Sequence, residues 1–530
     1  MRKLLIRIVL ILLAVGGLSF WFRNDASVLA GSTALGMDDS SHWIAVNSQN
    51  PEVMDTLEGA QVSMLQAVLP WDAVELSPGA YAWAIDREGG RTDFNVFFSR
   101  LNSRGIEPVV VLSGGPTYLS NLYPQQPVFR DQFLANWENY VRAAVQQFGS
   151  EVDYWQVGSV INDPEEWGAV IFPGAEAPSA IPDPDLYGAM LEIAYGIIKS
   201  EQASDLVLLG ELEFSGECGN HPIAYLQVLN DMNLWSAFDV ISLRVSALNA
   251  SPEQAVVDVC GVTPIQSSGI PGADSLRATA ELADSNGKKP VWVHGVRFTN
   301  AFTTQKAAER GTLAEVVASD LLARASGLFL SYGQADRVFW DFDPIENSPG
   351  LIAMNTFGNL SQTLGGRFEG SSVPDSKDHF ILRFRNNGKV TLLAWYAQGG
   401  EEALPMVIDD VNGYDLHAFS ADSASLKNKD GFELPVDAGG SCALLVSERP
   451  ILISGHPNTI KERVTQTVED SAAQASAGMQ AKLLGWLHVQ KAKAAASVGE
   501  WMEAQQASLL ESLRGKFEQW LQKSLGIAKL

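Results

Sequence analysis

Short apolar runs with β-strand character alternate with amphipathic helical segments between about residues 36 and 370. The strand candidates are residues 43–46, 61–69, 107–112, 152–160, 206–213, 238–243, 290–296 and 337–342. Eight strands separated by helices predict a (β/α)8 TIM barrel for residues 36–370, and the length of this region fits one. A doubly wound sheet is the alternative. It has less support because no glycine-rich phosphate loop follows the first strand.

The pattern changes after the predicted barrel. Residues 371–455 contain short strand candidates without helical segments between them, and Asn387-Gly388 and Asn412-Gly413 are typical hairpin turns. They predict a small antiparallel β domain. In residues 457–530 apolar side chains recur in steps of four and three, which predicts a C-terminal arm of long helices. Tryptophans beside lysines in this arm would suit a membrane surface, while coiled-coil self-association and packing on the barrel remain open.

The N-terminus resembles an export signal. Basic residues occupy three of the first seven positions and precede an apolar run at residues 8–22. Val28-Leu29-Ala30 would suit cleavage by signal peptidase. We therefore predict that residues 1–30 are a signal peptide or, if uncleaved, a membrane anchor; a buried N-terminal helix is the alternative. Either form of export places the chain outside the cytoplasm, secreted or membrane-anchored.

Composition excludes several kinds of function. The 62 Asp and Glu residues outnumber the 37 Lys and Arg residues, a net charge of −25, so we expect no nucleic-acid partner. Seven scattered histidines and three cysteines form no zinc-type motif, so neither a metal nor another cofactor is expected. Cys218 and Cys260 follow the fifth and sixth strands, and we predict a disulfide between them in an exported chain. Cys442, in an apolar strand, should be free and buried.

Two motifs carry a resemblance to a known family. Residues 71–83 read W-x-x-x-E-x-x-P-G-x-Y-x-W after the second strand, and Gly105-Ile106-Glu107-Pro108 opens the third. Together they resemble signatures of the retaining (β/α)8 glycoside hydrolases of clan A, of the β-xylosidase and cellulase-like kind with a C-terminal β domain. The resemblance extends over roughly residues 40–455. It implies hydrolysis of glycosidic bonds by two carboxylates about 5 Å apart, at the ends of strands four and seven.

Both family glutamates are absent from the matching positions. Where the family has Gly-Asn-Glu at the end of strand four, this chain has Gly158-Ser159-Val160. Where the family has Trp-Val-x-Glu on strand seven, Gly295 replaces the glutamate. Loss of a general acid typically costs ~10²–10⁴-fold in rate, and loss of the nucleophile removes the covalent route. These departures predict a pseudoenzyme.

Displaced carboxylates are the alternative. Asn162-Asp163-Pro164 imitates the Asn-Glu-Pro of the family, so a shift of three residues would make Asp163 the acid. Glu213 and Asp341, at the ends of strands five and eight, could provide the second carboxylate of an inverting mechanism. A turn aspartate and ordinary surface acids would explain the same residues.

Aromatic and basic side chains near the strand ends could bind a sugar after catalysis is lost. We predict ligand contacts from Trp71, Trp167, Arg244, Trp292 and Trp340. Trp71 and Trp167 are the leading candidates because they follow strands two and four, whereas barrel packing competes for Trp292. Arg244, together with Arg297, would favour acidic sugars or a protein carboxylate; surface solvation explains them equally well.

These observations lead to three functional hypotheses. The first is an exported, membrane-associated pseudoenzyme that binds a carbohydrate or an envelope protein. The second is an active glycosidase with displaced carboxylates. The third is an envelope scaffold that acts, and forms homo-oligomers, through the helices of residues 457–530.

Overall fold

The computed structural model describes residues 34–457 except for several loop segments. The segments left out are 41, 88–89, 116–117, 119–126, 165–181, 215–219, 246–247, 256–259, 261, 266, 342–350, 365–366, 372–378, 387–388, 398–402, 410, 412–413, 425 and 427–429. The predicted signal or anchor of residues 1–30 and the helical arm from residue 458 onward lie outside the described part. Within that part, no helix combines the length and the apolar character needed to cross a membrane.

Eight parallel strands close into a barrel in chain order. They are β1 (Leu35–Asp38), β2 (Met64–Pro70), β3 (Glu107–Ser113), β4 (Tyr154–Val160), β5 (Leu206–Glu213), β6 (Ile241–Arg244), β7 (Val291–Val296) and β8 (Arg337–Asp341). The barrel closes where Met37 on β1 is the partner of Trp340 on β8 and of Leu65 on β2. The predicted TIM barrel is confirmed, and the carboxyl ends of all eight strands meet at one face, which we call the mouth.

The first strand is not where the sequence predicted it. Residues 43–46 belong to a helix, α1 (Trp43–Asn47), and the strand lies eight residues earlier. The Asp39 carboxylate accepts hydrogen bonds from the backbone N–H groups of Ile44 at 3.0 Å and Ala45 at 2.8 Å. Because these bonds satisfy N–H groups at the start of a helix, Asp39 ends the strand segment and begins α1.

The other helices cover the barrel or connect its strands. They are α2 (Pro51–Gly59), α3 (Trp71–Val74), α4 (Phe94–Ser103), α5 (Pro127–Phe148), α6 (Pro184–Glu201), α7 (Pro222–Asp231), α8 (Pro271–Ser285), α9 (Asn300–Arg310), α10 (Ala314–Ser331) and α11 (Leu351–Leu364), with a 3₁₀ turn at Leu234–Ser236. Short hairpins join Glu75–Ser77 to Ala80–Tyr81 and Ala84–Arg87 to Gly90–Asp93. Asp93 and Asp183 cap α4 and α6 through backbone N–H groups.

The chain then forms the antiparallel β domain. Its strands are β9 (Arg367–Ser371), β10 (His379–Asn386), β11 (Lys389–Tyr396), β12 (Leu404–Ile408), β13 (Tyr414–Ser420), β14 (Phe432–Leu434), β15 (Cys442–Val446) and β16 (Ile451–Pro457). One sheet has the order β9-β10-β11-β16-β13-β14, and β12 pairs with β15 in a second. The predicted β domain is confirmed.

A buried ion pair holds the β domain against the barrel. The Arg324 guanidinium on α10 donates to both Glu253 carboxylate oxygens, at 2.9 and 2.5 Å, and the Trp395 indole on β11 donates to the same carboxylate at 2.7 Å. Both charged side chains are at most 5% exposed. One turn along α10, a Cβ at Gly327 would lie 2.7 Å from Leu393, so the helix and sheet touch there without room for a side chain.

The Glu253→Ala substitution should strongly destabilise the protein. It leaves the Arg324 guanidinium buried without its partner, which typically costs about 3–5 kcal/mol. Chemical denaturation would measure the loss. Glu138→Ala, which removes an exposed i,i+4 partner of Arg142, should change stability by less than about 0.5 kcal/mol. Equal effects of the two substitutions would contradict this role of the Glu253–Arg324 pair.

Stability should decrease as the pH rises from about 4 to about 7. Burial raises the pKa of Asp205 from 3.8 to about 7, against the hydrogen bond from the Trp155 indole that lowers it. Burial likewise raises the pKa values of Asp320 and Asp336 to about 6. At these three positions the folded state retains protons that the unfolded chain has released, so their contribution to stability is fully present below about pH 4 and is lost as the pH rises through 6 to 7. Asp205→Asn should flatten this dependence, measured as unfolding midpoint against pH, whereas the surface control Asp131→Asn should leave it unchanged.

Candidate ligand site at the mouth of the barrel

Polar side chains from six strands form one hydrogen-bonded cluster inside the mouth, which we call the mouth network. Its members are Asp38, Gln66, Gln156, Glu211, Arg244 and His294. Gln66 is its centre: its amide nitrogen donates to Gln156 Oε1 at 2.9 Å and to Glu211 Oε1 at 2.8 Å. The same nitrogen lies 3.0 Å from His294 Nδ1. The network therefore connects opposite sides of the barrel.

Asp38 and His294 form the deepest pair of the network. Asp38 Oδ1 lies 3.1 Å from His294 Nδ1, and Asp38 Oδ2 accepts the backbone N–H of Gly295 at 2.5 Å. Burial raises the pKa of Asp38, although the neighbouring imidazole lowers it. The His294 ring stacks on Phe339 with centroids 4.3 Å apart, and its Nε2 is buried without a hydrogen-bond partner among the described residues. Asp38 therefore contacts the His294 ring at Nδ1, on the side opposite Nε2.

Arg244 and Glu211 form a second pair nearer the surface. Arg244 Nη1 donates to Glu211 Oε2 at 2.9 Å; the arginine side chain is 25% exposed and the glutamate side chain 4%. Burial acts to raise the pKa of Glu211, but the Arg244 guanidinium and the His294 and Gln66 side chains together hold it below its ordinary value. Glu211 is therefore an ionised carboxylate whose two oxygens accept hydrogen bonds from Gln66 and Arg244.

A third carboxylate, Asp341 at the end of β8, is also paired. The Arg297 guanidinium lies 3.2 Å from Asp341 Oδ2, and the Ser40 hydroxyl donates to Oδ1. Burial raises the pKa of Asp341, with the Ser40 hydrogen bond acting against it and the nearby Asp38 adding to it. Each of the buried carboxylates Asp38, Glu211 and Asp341 thus has a basic side chain as its partner.

The end of β7 disfavours a side chain at the position of the family's glutamate. Gly295 has a φ of +70°, a backbone conformation that L-residues rarely adopt. A Cβ at this position would lie 3.2 Å from Arg244 Cγ and 3.4 Å from Arg244 Nε. The stem of Arg244 therefore occupies the space in which a side chain at residue 295 would begin.

The end of β4, where the resemblance places the acid/base glutamate, contains a β-bulge. Gly158 has a φ of +85°, and the pairing of β4 with β5 shifts between Val157 and Val160. The Tyr187 hydroxyl fills this irregularity, donating to Val157 O at 3.0 Å and accepting from Gly210 N at 2.8 Å. Val160 is 1% exposed and lines a small void against the helix layer, with Trp137 of α5. Val160 is the Cα partner of Glu211, whose side chain lies in the mouth, so the interpretation of Val160 as a replaced catalytic glutamate stays a prediction.

The bulge moves Asn162-Asp163 to the edge of the mouth. Asn162 is buried and clamps the neighbouring strand: it donates to Glu213 O at 2.7 Å and accepts from Glu213 N at 2.8 Å. The half-exposed residues Asp163 and Glu213 are thereby brought to adjacent strand ends. Asp341 is four strands from β4 in the barrel, on the opposite side. Of the displaced carboxylates considered from the sequence, Asp163 and Glu213 come together and Asp341 does not.

Trp71, a leading ligand candidate, is wrongly assigned. It is fully buried in α3, stacked on Tyr140 at 5.2 Å with the rings 10° apart. Its indole N–H donates to Glu75, whose carboxylate also accepts the N–H of Gly79 at 2.6 Å. The W-x-x-x-E-x-x-P-G signature is therefore a structural motif, in which Glu75 fastens the hairpin turn to the helix layer.

Trp292 and Trp340 are also unable to contact a ligand. Trp292 is fully buried within the barrel, stacked on Phe339 at 5.6 Å. Trp340 is 4% exposed, and its indole donates to the Ser326 hydroxyl on α10 at 2.8 Å. The predictions for both are wrong: Trp292 is packed inside the barrel, and Trp340 is packed between the barrel and α10. Trp167 lies outside the described residues.

The cysteines and potential metal ligands add two observations. Cys260 is disulfide-bonded, Cys442 is free and buried, and Cys218 lies outside the described residues. No group of three or more His, Cys, Asp or Glu side chains that could hold a metal ion occurs in the described part of the chain.

Sequence reasoning missed most of the mouth network. Asp38, Gln66, Gln156 and His294 were not proposed as site residues, although Arg244 was. The available signal was a polar residue inside a buried apolar run, as in Gln66 between Leu65 and Ala67. Because alternate residues of a barrel strand point inward, such a residue indicates a polar interior.

The Trp71→Phe substitution should destabilise the protein more than Trp340→Phe. Both remove one buried indole N–H, but Trp71 donates to a carboxylate and Trp340 to a neutral hydroxyl. Hydrogen bonds to charged groups contribute about 1.5–3 kcal/mol, and neutral ones about 0.5–1.5 kcal/mol. Thermal and chemical unfolding would measure both variants, and a smaller loss for Trp71→Phe would contradict the structural role of the signature.

Solved structures of glycoside hydrolases share this architecture. A family 39 glycoside hydrolase from the gut symbiont Bacteroides cellulosilyticus WH2 has a TM-score of 0.59 and 17% identity, covering 79% of this chain and 80% of that one. A family 30 endoxylanase from Clostridium papyrosolvens C71 has a TM-score of 0.52 and 14% identity, covering 81% and 98%. No protein-family model and no curated protein matches the chain. The chain therefore has the fold of the clan A glycoside hydrolases, as the resemblance of its motifs implied.

Proposed function

We propose that this protein is an exported, membrane-associated pseudoenzyme that binds a glycan at the cell envelope without hydrolysing it. The observation that carries the proposal is the end of β7, where a glycine with a φ of +70° faces the stem of Arg244. A retaining mechanism needs a carboxylate that attacks the anomeric carbon from this position. Gly295 supplies no side chain, and the neighbouring guanidinium has the opposite charge to the nucleophile.

The carboxylates that remain in the mouth are poorly suited to replace it. Hydrolysis needs one carboxyl group that delivers a proton and another that reaches the sugar or a water molecule. Glu211 is ion-paired with Arg244 and buried, Asp38 is buried below it against His294, and Asp341 is paired with Arg297. Using any of them would require breaking a buried pair, which is energetically costly.

Two features support export. The basic and apolar pattern of residues 1–30 is that of a signal peptide or anchor. Cys260 takes part in a disulfide, and disulfides persist mainly in oxidising, extracytoplasmic compartments. Glycans exposed at the cell envelope are ligands that such a protein would encounter.

An active glycosidase is the second candidate, favoured by the position of Asn162-Asp163-Pro164. The clamp between Asn162 and Glu213 brings Asp163 to the edge of the mouth, where a half-exposed carboxyl group could protonate a leaving oxygen. This candidate still needs a second carboxylate that reaches the sugar, and Glu213 lies on the strand next to β4, on the same side of the barrel.

Hydrolysis assays on the full-length chain distinguish the two candidates. We expect no turnover of aryl-glycosides or polysaccharides above background by the unmodified protein, and retained binding to at least one glycan on an oligosaccharide array. Asp163→Asn should change neither result, and the exposed Asp131→Asn on α5 is its matched control. Turnover that falls by about 10²–10⁴-fold in Asp163→Asn alone would establish the glycosidase instead. Binding to no glycan would overturn the glycan-binding proposal.

A further inference from the structure

We infer that the glycan bound at the mouth carries an anionic group, a carboxylate or a sulfate, and that Arg244 and Arg297 bind it. This inference rests on the proposed function, because it concerns the ligand of the same site. It follows from two partly exposed guanidinium groups, those of Arg244 and Arg297, that are each anchored by a buried carboxylate.

Arg244 is held in position and remains accessible. Its Nη1 is fixed by Glu211 at 2.9 Å, and its stem lies in the space beside Gly295. A quarter of the side chain is exposed, at 25%, so the outer edge of the guanidinium faces the mouth. A planar guanidinium presents several N–H donors in a fixed fork, which matches the paired oxygens of a carboxylate or sulfate.

Arg297 provides a second guanidinium on the same side of the mouth. Residue 297 directly follows β7, and β7 pairs with β6 so that Arg244 and His294 are Cα partners. Arg297 lies 3.2 Å from Asp341 Oδ2, and its side chain is 28% exposed. Two guanidinium groups on adjacent strand ends can contact one anionic sugar together.

The carboxylates near the arginines do not reverse this preference. The side chains of Glu211 and Asp341 are 4% and 1% exposed, so these two carboxylates are less accessible to a ligand than Arg244 and Arg297. Glu213, the Cα partner of Arg244, is a partly exposed carboxylate at the same rim. Asp38 and Asp341 are paired with His294 and Arg297, which offset their charge. The pKa of Glu211 is lowered, and the charge of this carboxylate fixes Arg244 in place.

The position of Arg244 separates this mouth from a hydrolytic one. Glycoside hydrolysis passes through a transition state with positive charge on the sugar, which carboxylates stabilise. A guanidinium beside the same position repels that charge and attracts a negative substituent. A neutral sugar would leave the guanidinium without a charged partner from the ligand, so the mouth selects for an acidic one.

A glycan array tests the inference on the full-length chain. The array contains neutral, uronate-bearing and sulfated oligosaccharides, together with the methyl esters of the uronates, which keep the sugar and remove the charge. We expect an acidic ligand to bind at least about tenfold more tightly than its neutral counterpart, since hydrogen bonds to charged groups are the stronger ones. Binding of uronates alone identifies a carboxylate site, and binding of sulfated sugars as well identifies a more general oxyanion site.

Substitutions then assign the contact to the two arginines. Arg297→Gln and the double variant Arg244→Gln/Glu211→Gln, which removes both charges of that ion pair, should each weaken acidic binding by about 10- to 100-fold. Arg142→Gln, on the exposed face of α5, is the control. Equal affinity for uronates and their methyl esters would overturn the inference and leave the proposed function standing. Binding of no glycan in any class would overturn the proposed function, and the inference with it.

Discussion

Arg244 reaches across from β6 to Glu211 on β5, and the other polar contacts of the barrel mouth depend on this pair. Glu211 also accepts from Gln66, whose amide reaches Gln156 and lies beside His294. His294 in turn contacts Asp38, which accepts the backbone N–H of Gly295. Removing the arginine would leave Glu211 as an uncompensated buried charge and open the space beside Gly295. The identity of one side chain on β6 thus determines both the charge and the shape of the mouth.

The barrel wall and the mouth are stabilised by separate sets of contacts. The family signature acts through Trp71, Glu75 and Gly79, which fasten a hairpin outside the barrel, and the β domain is held by Glu253 and Arg324. None of these residues belongs to the mouth network. Because the two sets share no side chain, the chain can retain a hydrolase fold while the chemistry of its mouth changes.

This separation explains what the sequence could predict. The apolar strand runs and the motif of residues 71–83 predict the barrel correctly, because burial and turn geometry are local properties. The sequence-based predictions fail where a tertiary contact determines the structure. The position of β1 was missed because the strand is short and ends at Asp39, which caps the following helix. Trp71 was misassigned because its ring packs on Tyr140 in the helix layer. The bulge in β4, where the Tyr187 hydroxyl bonds to Val157 O and Gly210 N, was not predicted because it depends on a side chain from a distant helix. The mouth network was missed since its members come from six different strands.

The bulge also limits what the missing glutamates can prove. At β4, Val160 stands where the family has its glutamate, and Asp163, three residues later, is the alternative acid. The evidence against hydrolysis therefore depends on β7, where both the backbone conformation of Gly295 and the Arg244 stem disfavour a glutamate. Restoring Glu at residue 295 alone would strain the backbone and collide with Arg244. A side chain at residue 295 would need Arg244 to shift, because the Gly295 conformation and the Arg244 stem belong to one packing arrangement at the end of β7.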